Sequence, residues 1–239
     1  MTDSAEKASD QQTIPADARS PGGRAGEAEP FVRGYALGPW QTNSYVIGDE
    51  GTKECWIVDP SFGPSPVLRL VAERGLTPRA IVLTHTHVDH IGGIAEVLKQ
   101  HPGLPIWVHR AEAGWLGNPL LNLSDGAGMR VTAPDASRLL NDGDELRLGG
   151  QTWRVLHTPG HSPGGVTLHH EPSGTALVGD TLFAGSIGRT DLPGGDYETL
   201  ERSIRTRLYS LPDRTRCLPG HGPATTIGDE KRYNPFVPG

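Results

Sequence analysis

Cysteine is nearly absent: the 239 residues hold two, Cys55 and Cys217, both inside apolar, strand-like runs. A pair so far apart makes neither a disulfide framework nor a cysteine zinc site, so both read as small buried residues. No apolar run is long enough to span a bilayer, and the N-terminus lacks a charged-then-apolar signal pattern. The expectation is a cytoplasmic protein with no membrane partner. A basic stripe is missing too. Residues 1–29 hold six acids and three bases, half of the net charge of −6, and the rest of the chain balances 22 acids against 19 bases. That balance argues against nucleic acid as a partner. Large apolar side chains are scarce in 1–29, so this segment cannot offset its ordering entropy and is expected to be a disordered tail. The folded domain is placed at 30–239.

Glycine and proline are plentiful, at 32 and 21. They favour short strands and many loops over a helical bundle. Strands are expected at Phe31–Leu37, 44–47, Cys55–Val58, 80–83, 106–108, 153–156, 166–168, 175–178 and 215–218. Ser65-Pro66 reads as a cap and first-turn proline of a helix that Gly75 stops. A second helix carries Ile91, Ile94, Ala95 and Leu98 on one face. A third is capped by Asp196 and lines Tyr197, Leu200, Ile204 and Leu208 along one face. Residues 114–135 have no period and read as a long loop, with a helical turn near 111–116.

The most informative stretch is Thr84-His85-Thr86-His87-Val88-Asp89-His90, directly after the apolar run Ala80-Ile81-Val82-Leu83. Three imidazoles and a carboxylate at a strand end suit zinc, iron or manganese. The following Gly92-Gly93 reads as a tight turn into a helix. Three later segments repeat the design of strand, turn and ligand: His157-Thr158-Pro159-Gly160-His161, Ala176-Leu177-Val178-Gly179-Asp180, and Cys217-Leu218-Pro219-Gly220-His221.

These segments together resemble the five ordered motifs of the metallo-β-lactamase superfamily. Asp59 matches the first; His85, His87, Asp89 and His90 the second; His161, Asp180 and His221 the rest. The segments Gly185–Asp196 and Thr226–Phe236 resemble the short, single-domain glyoxalase II-like branch. The resemblance covers nearly all of residues 31–239. It implies an α/β fold, a four-layer αββα sandwich. It implies two divalent metal ions, with zinc expected and iron or manganese as alternatives. His85, His87 and His161 would hold one ion, Asp89, His90 and His221 the other, with Asp180 bridging. Asp59 would sit behind the metal loop and orient a ligand. Two metals about 3.5–4 Å apart can share a hydroxide and lower its water pKa toward about 7. Asp89 is the candidate catalytic residue that steers the proton. The implied function is hydrolysis of a small-molecule thioester such as S-lactoylglutathione, whose thiolate leaves without strong acid help.

Arg189, in the loop after Asp180, is a candidate for binding a substrate carboxylate, or for bracing its loop through Asp191 or Asp196. Lys231 and Arg232 are candidate contacts to an acidic substrate, or part of a solvated tail. His101, His109, His157, His169 and His170 read as structural. Larger glyoxalase II enzymes carry a helical C-terminal domain with basic residues for glutathione; here 18 residues follow His221, so those contacts have no positions to map onto. Two other readings stand beside the hydrolase. One is an iron-dependent persulfide dioxygenase on the same framework, with its iron on His85, His161 and Asp180. The other is a non-catalytic metal-binding protein.

Overall fold

A computed structural model describes residues 29–239 and the backbone of Thr13–Ile14. The expectation for the 1–29 tail lies almost wholly outside the described residues. One sheet runs in the order β1 (Thr13–Ile14), β2 (Phe31–Leu37), β3 (Thr42–Gly48), β4 (Glu54–Val58), β5 (Thr77–Val82), β6 (Ile106–His109), β7 (Arg138–Leu140). Later strands are β8 (Glu145–Leu148), β9 (Gln151–His157), β10 (Val166–His170), β11 (Thr175–Gly179), the small hairpin β12 (Leu182–Phe183) and β13 (Ser186–Ile187), then β14 (Arg216–Pro219) and β15 (Thr225–Thr226). Apart from that hairpin they form a second sheet, ordered β15-β14-β11-β10-β9-β8.

Alternation along the strands separates the layers. Tyr45, Ile47, Trp56, Val58 and Val82 face inward, against Leu146, Leu148, Trp153, Val155, Leu168 and Leu177 of the second sheet. Val46, Cys55, Ile57 and Ile81 face outward. There they meet Val67 and Val71 of helix α1 (Ser65–Glu73), Ile91 of α2 (Val88–Ile91), and Ile94 and Val97 of α3 (Ile94–Gln100). Ala176, Val178 and Cys217 meet Leu200 of α4 (Tyr197–Ser203), Ile204 and Leu208 of the π-helical turn that continues it, and Ile227 of α5 (Ile227–Tyr233). The result is helix, sheet, sheet, helix, as expected. Both cysteines are free and buried, with burial pushing the Cys55 thiol up to about 12.

Several local expectations change. Pro64, not Ser65, occupies the cap of α1, and no side chain caps it. The Gly92-Gly93 pair is the expected turn into a helix, with Gly93 at the cap of α3, but a further helical turn, α2, already precedes it from Val88. It separates α2 from α3 by close approach: a Cβ on Gly93 would stand 2.1 Å from the Ser61 carbonyl oxygen. On α4 the Asp196 carboxylate does accept from Thr199 N–H at 2.8 Å, but Tyr197 turns outward and its hydroxyl donates to the Phe236 carbonyl. His169 and His170 close β10, and both are buried. The short strands β7 and β8 carry too few residues to show a period.

Candidate metal centre

The parallel relations within each sheet place the ends of β4, β5, β9, β11 and β14 on one side of the sandwich. Residues 59, 84–90, 158–165, 180 and 219–222 follow those ends. Val166 N–H donates to the Thr84 carbonyl at 2.9 Å, and Asn43 N–H to the Gly220 carbonyl at 2.7 Å. These bonds lock the loops of the two sheets together.

All seven expected ligand residues converge here. Potential ligand atoms of His85, His87 and His161 lie within 4.8 Å of one another. The same holds for His85, His90 and Asp180, and for Asp89, His90 and His221. The Asp180 carboxylate spans the groups: Oδ1 lies 3.5 Å from His90 Nε2, and Oδ2 lies 3.6 Å from His161 Nε2 and 3.4 Å from His221 Nε2. Gly220 makes room for it, since a Cβ there would stand 2.0 Å from Asp180 Oδ1. His85, His87, His90 and His161 are buried, while the side chains of Asp89 and His221 are 15 % and 28 % exposed. The cluster therefore opens at its Asp89–His221 side.

Each histidine but one is held from behind. His90 Nδ1 donates to Asp59 Oδ2 at 2.9 Å. His161 Nδ1 donates to the Arg189 carbonyl at 2.8 Å, and His221 Nδ1 to the Trp40 carbonyl at 3.1 Å. The Thr84 hydroxyl gives its proton to Asp59 Oδ2 at 2.6 Å, so its oxygen can accept from His85 Nδ1 at 3.2 Å. Bonds of this kind fix each ring's tautomer and turn the Nε2 lone pair inward. Asp59 also accepts from Thr84 N–H at 2.7 Å, and its φ of 48° lies in the left-handed region. A buried carboxylate on a strained backbone, serving one loop residue twice and an imidazole once, is a feature that functional sites retain. His87 is the exception: its Nδ1 faces His161 Nε2 at 2.9 Å.

The electrostatics divide the cluster. Burial, with the neighbouring His90, pushes His85 well below its ordinary value. Burial and His161 take His87 down to about 3, so both rings are neutral, as ligands must be. Burial would lower His90, but Asp89, Asp180 and Asp59 outweigh it and raise it well above normal. Burial also opposes protonation of His221, yet Asp180 and Asp89 raise it to about 9. Burial would raise Asp89, but His90 and His221 hold it at about 2. Asp180 is held well below the carboxylate range, against its burial, mainly by His90 and His221.

The donor set fits a pair of cations. His85 Nε2, His90 Nε2 and Asp180 Oδ1 are buried with no hydrogen-bond partner, an arrangement ordinary cores avoid. Imidazole and carboxylate together suit zinc, iron or manganese.

The other expected residues fall elsewhere. The Arg189 guanidinium is bidentate on the Asp191 carboxylate, with both contacts at 2.7 Å, and is exposed; this is the loop-bracing arrangement. Lys231 pairs with Asp213 at 2.6 Å, near the start of β14 rather than its His221 end, and Arg232 is an exposed neighbour on the same helix. His157 stacks on His109 with centroids 4.0 Å apart and stays outside the cluster.

Two residues escaped the sequence reading. Glu112 is fully buried. It accepts from Thr86 N–H and hydroxyl through Oε2, at 2.7 and 2.8 Å, and from Gly164 N–H through Oε1 at 2.7 Å. It ties the His85–His87 loop to the loop after His161. Thr42 donates to Asp89 Oδ2 at 2.9 Å. The only sequence signal for Glu112 was an acid in a short helical turn; for Thr42 there was none.

The family model described as the metallo-beta-lactamase superfamily matches residues 37–221. The chain is 42 % identical over 209 residues to a probable metallo-hydrolase, YqgX, of Bacillus subtilis, covering 87 % of this chain and 97 % of that protein. It is 40 % identical over 200 residues to the hydroxyacylglutathione hydrolase GloC of Haemophilus influenzae, covering 83 % and 93 %. Among solved structures, the B3 metallo-β-lactamase BLEG-1 superposes with a TM-score of 0.83 at 42 % identity, covering 87 % of this chain and all of the other. TTHA1623 in a di-iron-bound form superposes with a TM-score of 0.74 at 38 % identity, covering 88 % of this chain and all of the other.

Proposed function

The chain belongs to the metallo-β-lactamase superfamily and is a metallo-hydrolase, and from that premise we propose that it cleaves small-molecule thioesters of the S-lactoylglutathione kind in the cytoplasm. The observation that carries the reading is the convergence of seven His and Asp side chains, with unpartnered ring nitrogens and a carboxylate oxygen aimed into one cluster. The similarity to GloC supports the thioester as substrate.

In this reading His85, His87 and His161 hold one cation, Asp89, His90 and His221 a second, and Asp180 reaches both. Two divalent cations, zinc by preference, supply a Lewis acid for the carbonyl oxygen and lower a water pKa to about 7. The protein's own part is positional. Asp59, Thr84 and the carbonyls of Arg189 and Trp40 hold four imidazoles so that their lone pairs point inward. Glu112 keeps the two loops that carry His85, His87 and His161 in register. Asp89, ionised and anchored by Thr42, lies 3.1 Å from His221 Nε2 on the open side, where it can accept a hydrogen bond from a water and steer its proton. The thiol leaving group has a pKa of about 8.5 and departs as thiolate, so no separate acid is required.

The test is metal quantitation on natively expressed protein followed by turnover of S-lactoylglutathione and other S-acyl glutathiones. Two equivalents of metal with thioester turnover support the proposal; metal-replete protein inert to every thioester overturns it. A second reading is an iron-dependent persulfide dioxygenase; the likeness to a di-iron-bound structure supports iron as a metal for such a site, though not the single iron of that reading. Oxygen uptake with glutathione persulfide by an iron-loaded sample would establish that reading instead.

A further inference from the structure

Beside His221, on the open side of the cluster, stand the aromatic residues Trp40 and Phe183, with Phe62 against Trp40. Trp40 is 41 % exposed, although its carbonyl holds His221, and its ring meets that of Phe62 at 6.0 Å. Phe183, on the hairpin after Asp180, sets its ring at 89° to His221 with centroids 6.1 Å apart. Phe62 is built into place: a Cβ on Gly92 would stand 2.4 Å from its ring, so the break between α2 and α3 makes room for it. An exposed tryptophan beside a reactive cluster is an apolar surface that a ligand can cover. Of the cations the sequence offers to an acidic substrate, Arg189 pairs with Asp191 and Lys231 with Asp213.

We propose that Trp40, Phe62 and Phe183 form an acyl subsite that selects thioesters with an aromatic or otherwise apolar acyl group over short hydroxyacyl thioesters. The inference rests on the thioester reading above and narrows it. A substrate reaching the cluster has to enter past Asp89 and His221, the exposed members; the Phe183 ring packs on His221, Trp40 is the residue whose carbonyl holds it, and Phe62 backs Trp40. A lactoyl group offers them a methyl and a hydroxyl; a phenylacetyl group offers a face to stack on.

The test holds the thiol constant and changes the acyl group, comparing S-phenylacetylglutathione with S-lactoylglutathione on the metal-loaded enzyme. The expected result is a kcat/KM about tenfold or more higher for the phenylacetyl ester, the discrimination that burying one ring supplies. In Trp40→Ala and Phe183→Ala the ratio falls toward one. In Leu139→Ala, which trims a comparably exposed apolar residue on β7, it stays at the wild-type value. A readout independent of turnover is quenching of tryptophan fluorescence by S-benzylglutathione, a thioether that cannot be hydrolysed; it is expected in the wild type and weakened in Trp40→Ala. A wild-type ratio near one, or a ratio that survives both ring deletions, overturns the subsite alone. Hydrolysis of neither ester overturns the thioester reading and the subsite with it.

Discussion

Asp49 and Asp59 are both fully buried carboxylates at strand ends, one after β3 and one after β4, at opposite ends of the same sandwich. Asp49 takes ordinary donors: Thr52 N–H at 2.8 Å, the Thr52 hydroxyl, and Gly150 N–H at 3.0 Å from the other sheet. Every bond there closes a turn, and the two sheets are pinned together. Asp59 takes Thr84 and His90, and behind His90 stand nitrogens with no partner at all. The first end spends its polar groups on the fold. The second keeps polar groups in reserve, at a cost of about 1–3 kcal/mol for each buried group left unpaired. At these two ends the polar groups are paired where they hold structure and left unpaired where they face the cluster.

Substitutions at the two ends should therefore fail in different ways. The largest effect belongs to His87→Ala, which is expected to lose metal and nearly all thioester turnover while unfolding close to the wild-type temperature; elemental analysis with steady-state kinetics checks it, and full metal with retained turnover would count against the assignment. Asp59→Asn comes next. It keeps the size of the side chain but presents an amide where Thr84 or His90 needs an acceptor, and metal affinity should fall about 10–100-fold in a competitive chelator titration. Glu112→Gln leaves one of the Thr86 or Gly164 donors facing an amide, and denaturant unfolding should register a loss of about 1–3 kcal/mol. Asp49→Asn sits at the far end and should leave metal affinity alone, with a stability loss of about 1 kcal/mol near neutral pH. Its pH dependence has a definite sign. Burial would raise the Asp49 pKa, but the bonds from Thr52 and Gly150 lower it below the ordinary value. Its contribution is therefore present above the unfolded carboxylate pKa of about 3.9 and is lost as pH falls through the lower folded value. Wild-type and Asp49→Asn unfolding curves should converge in acid; a difference that persists unchanged there would break the contrast between the two ends.

The ligands could be read from the sequence because His85, His87, Asp89 and His90 crowd directly after an apolar strand, and His161, Asp180 and His221 each follow a short apolar strand and a Gly. The layers followed from the superfamily resemblance, and the period of the strands agrees with it. What stayed hidden had no local pattern. Glu112 lies in an aperiodic segment, and its partners Thr86 and Gly164 are 26 and 52 residues away. Thr42 meets Asp89 across 47 residues. Gly92-Gly93 reads correctly as a turn into a helix, but its close approach to Ser61 has no local signal. Tyr197 fits the helical stripe in spacing, yet its hydroxyl finds a partner at the Phe236 carbonyl and the ring turns outward. Arg189 shows the limit for charges: position in sequence put it near the entrance, and only geometry paired it with Asp191.

His161 and His221 are each steered by a main-chain carbonyl, that of Arg189 and that of Trp40. Both of those residues carry exposed side chains in the loops beside the entrance. A carbonyl is present whatever amino acid supplies it. Natural variation or laboratory selection can therefore exchange the side chain at position 40, and so alter which compounds are admitted, without removing the acceptor that aims His221; at position 189 the same exchange would also untie the brace to Asp191. At Trp40, substrate range and reactive geometry are inherited on separate parts of one residue, which leaves the scaffold free to diverge in what it accepts while its chemistry stays put.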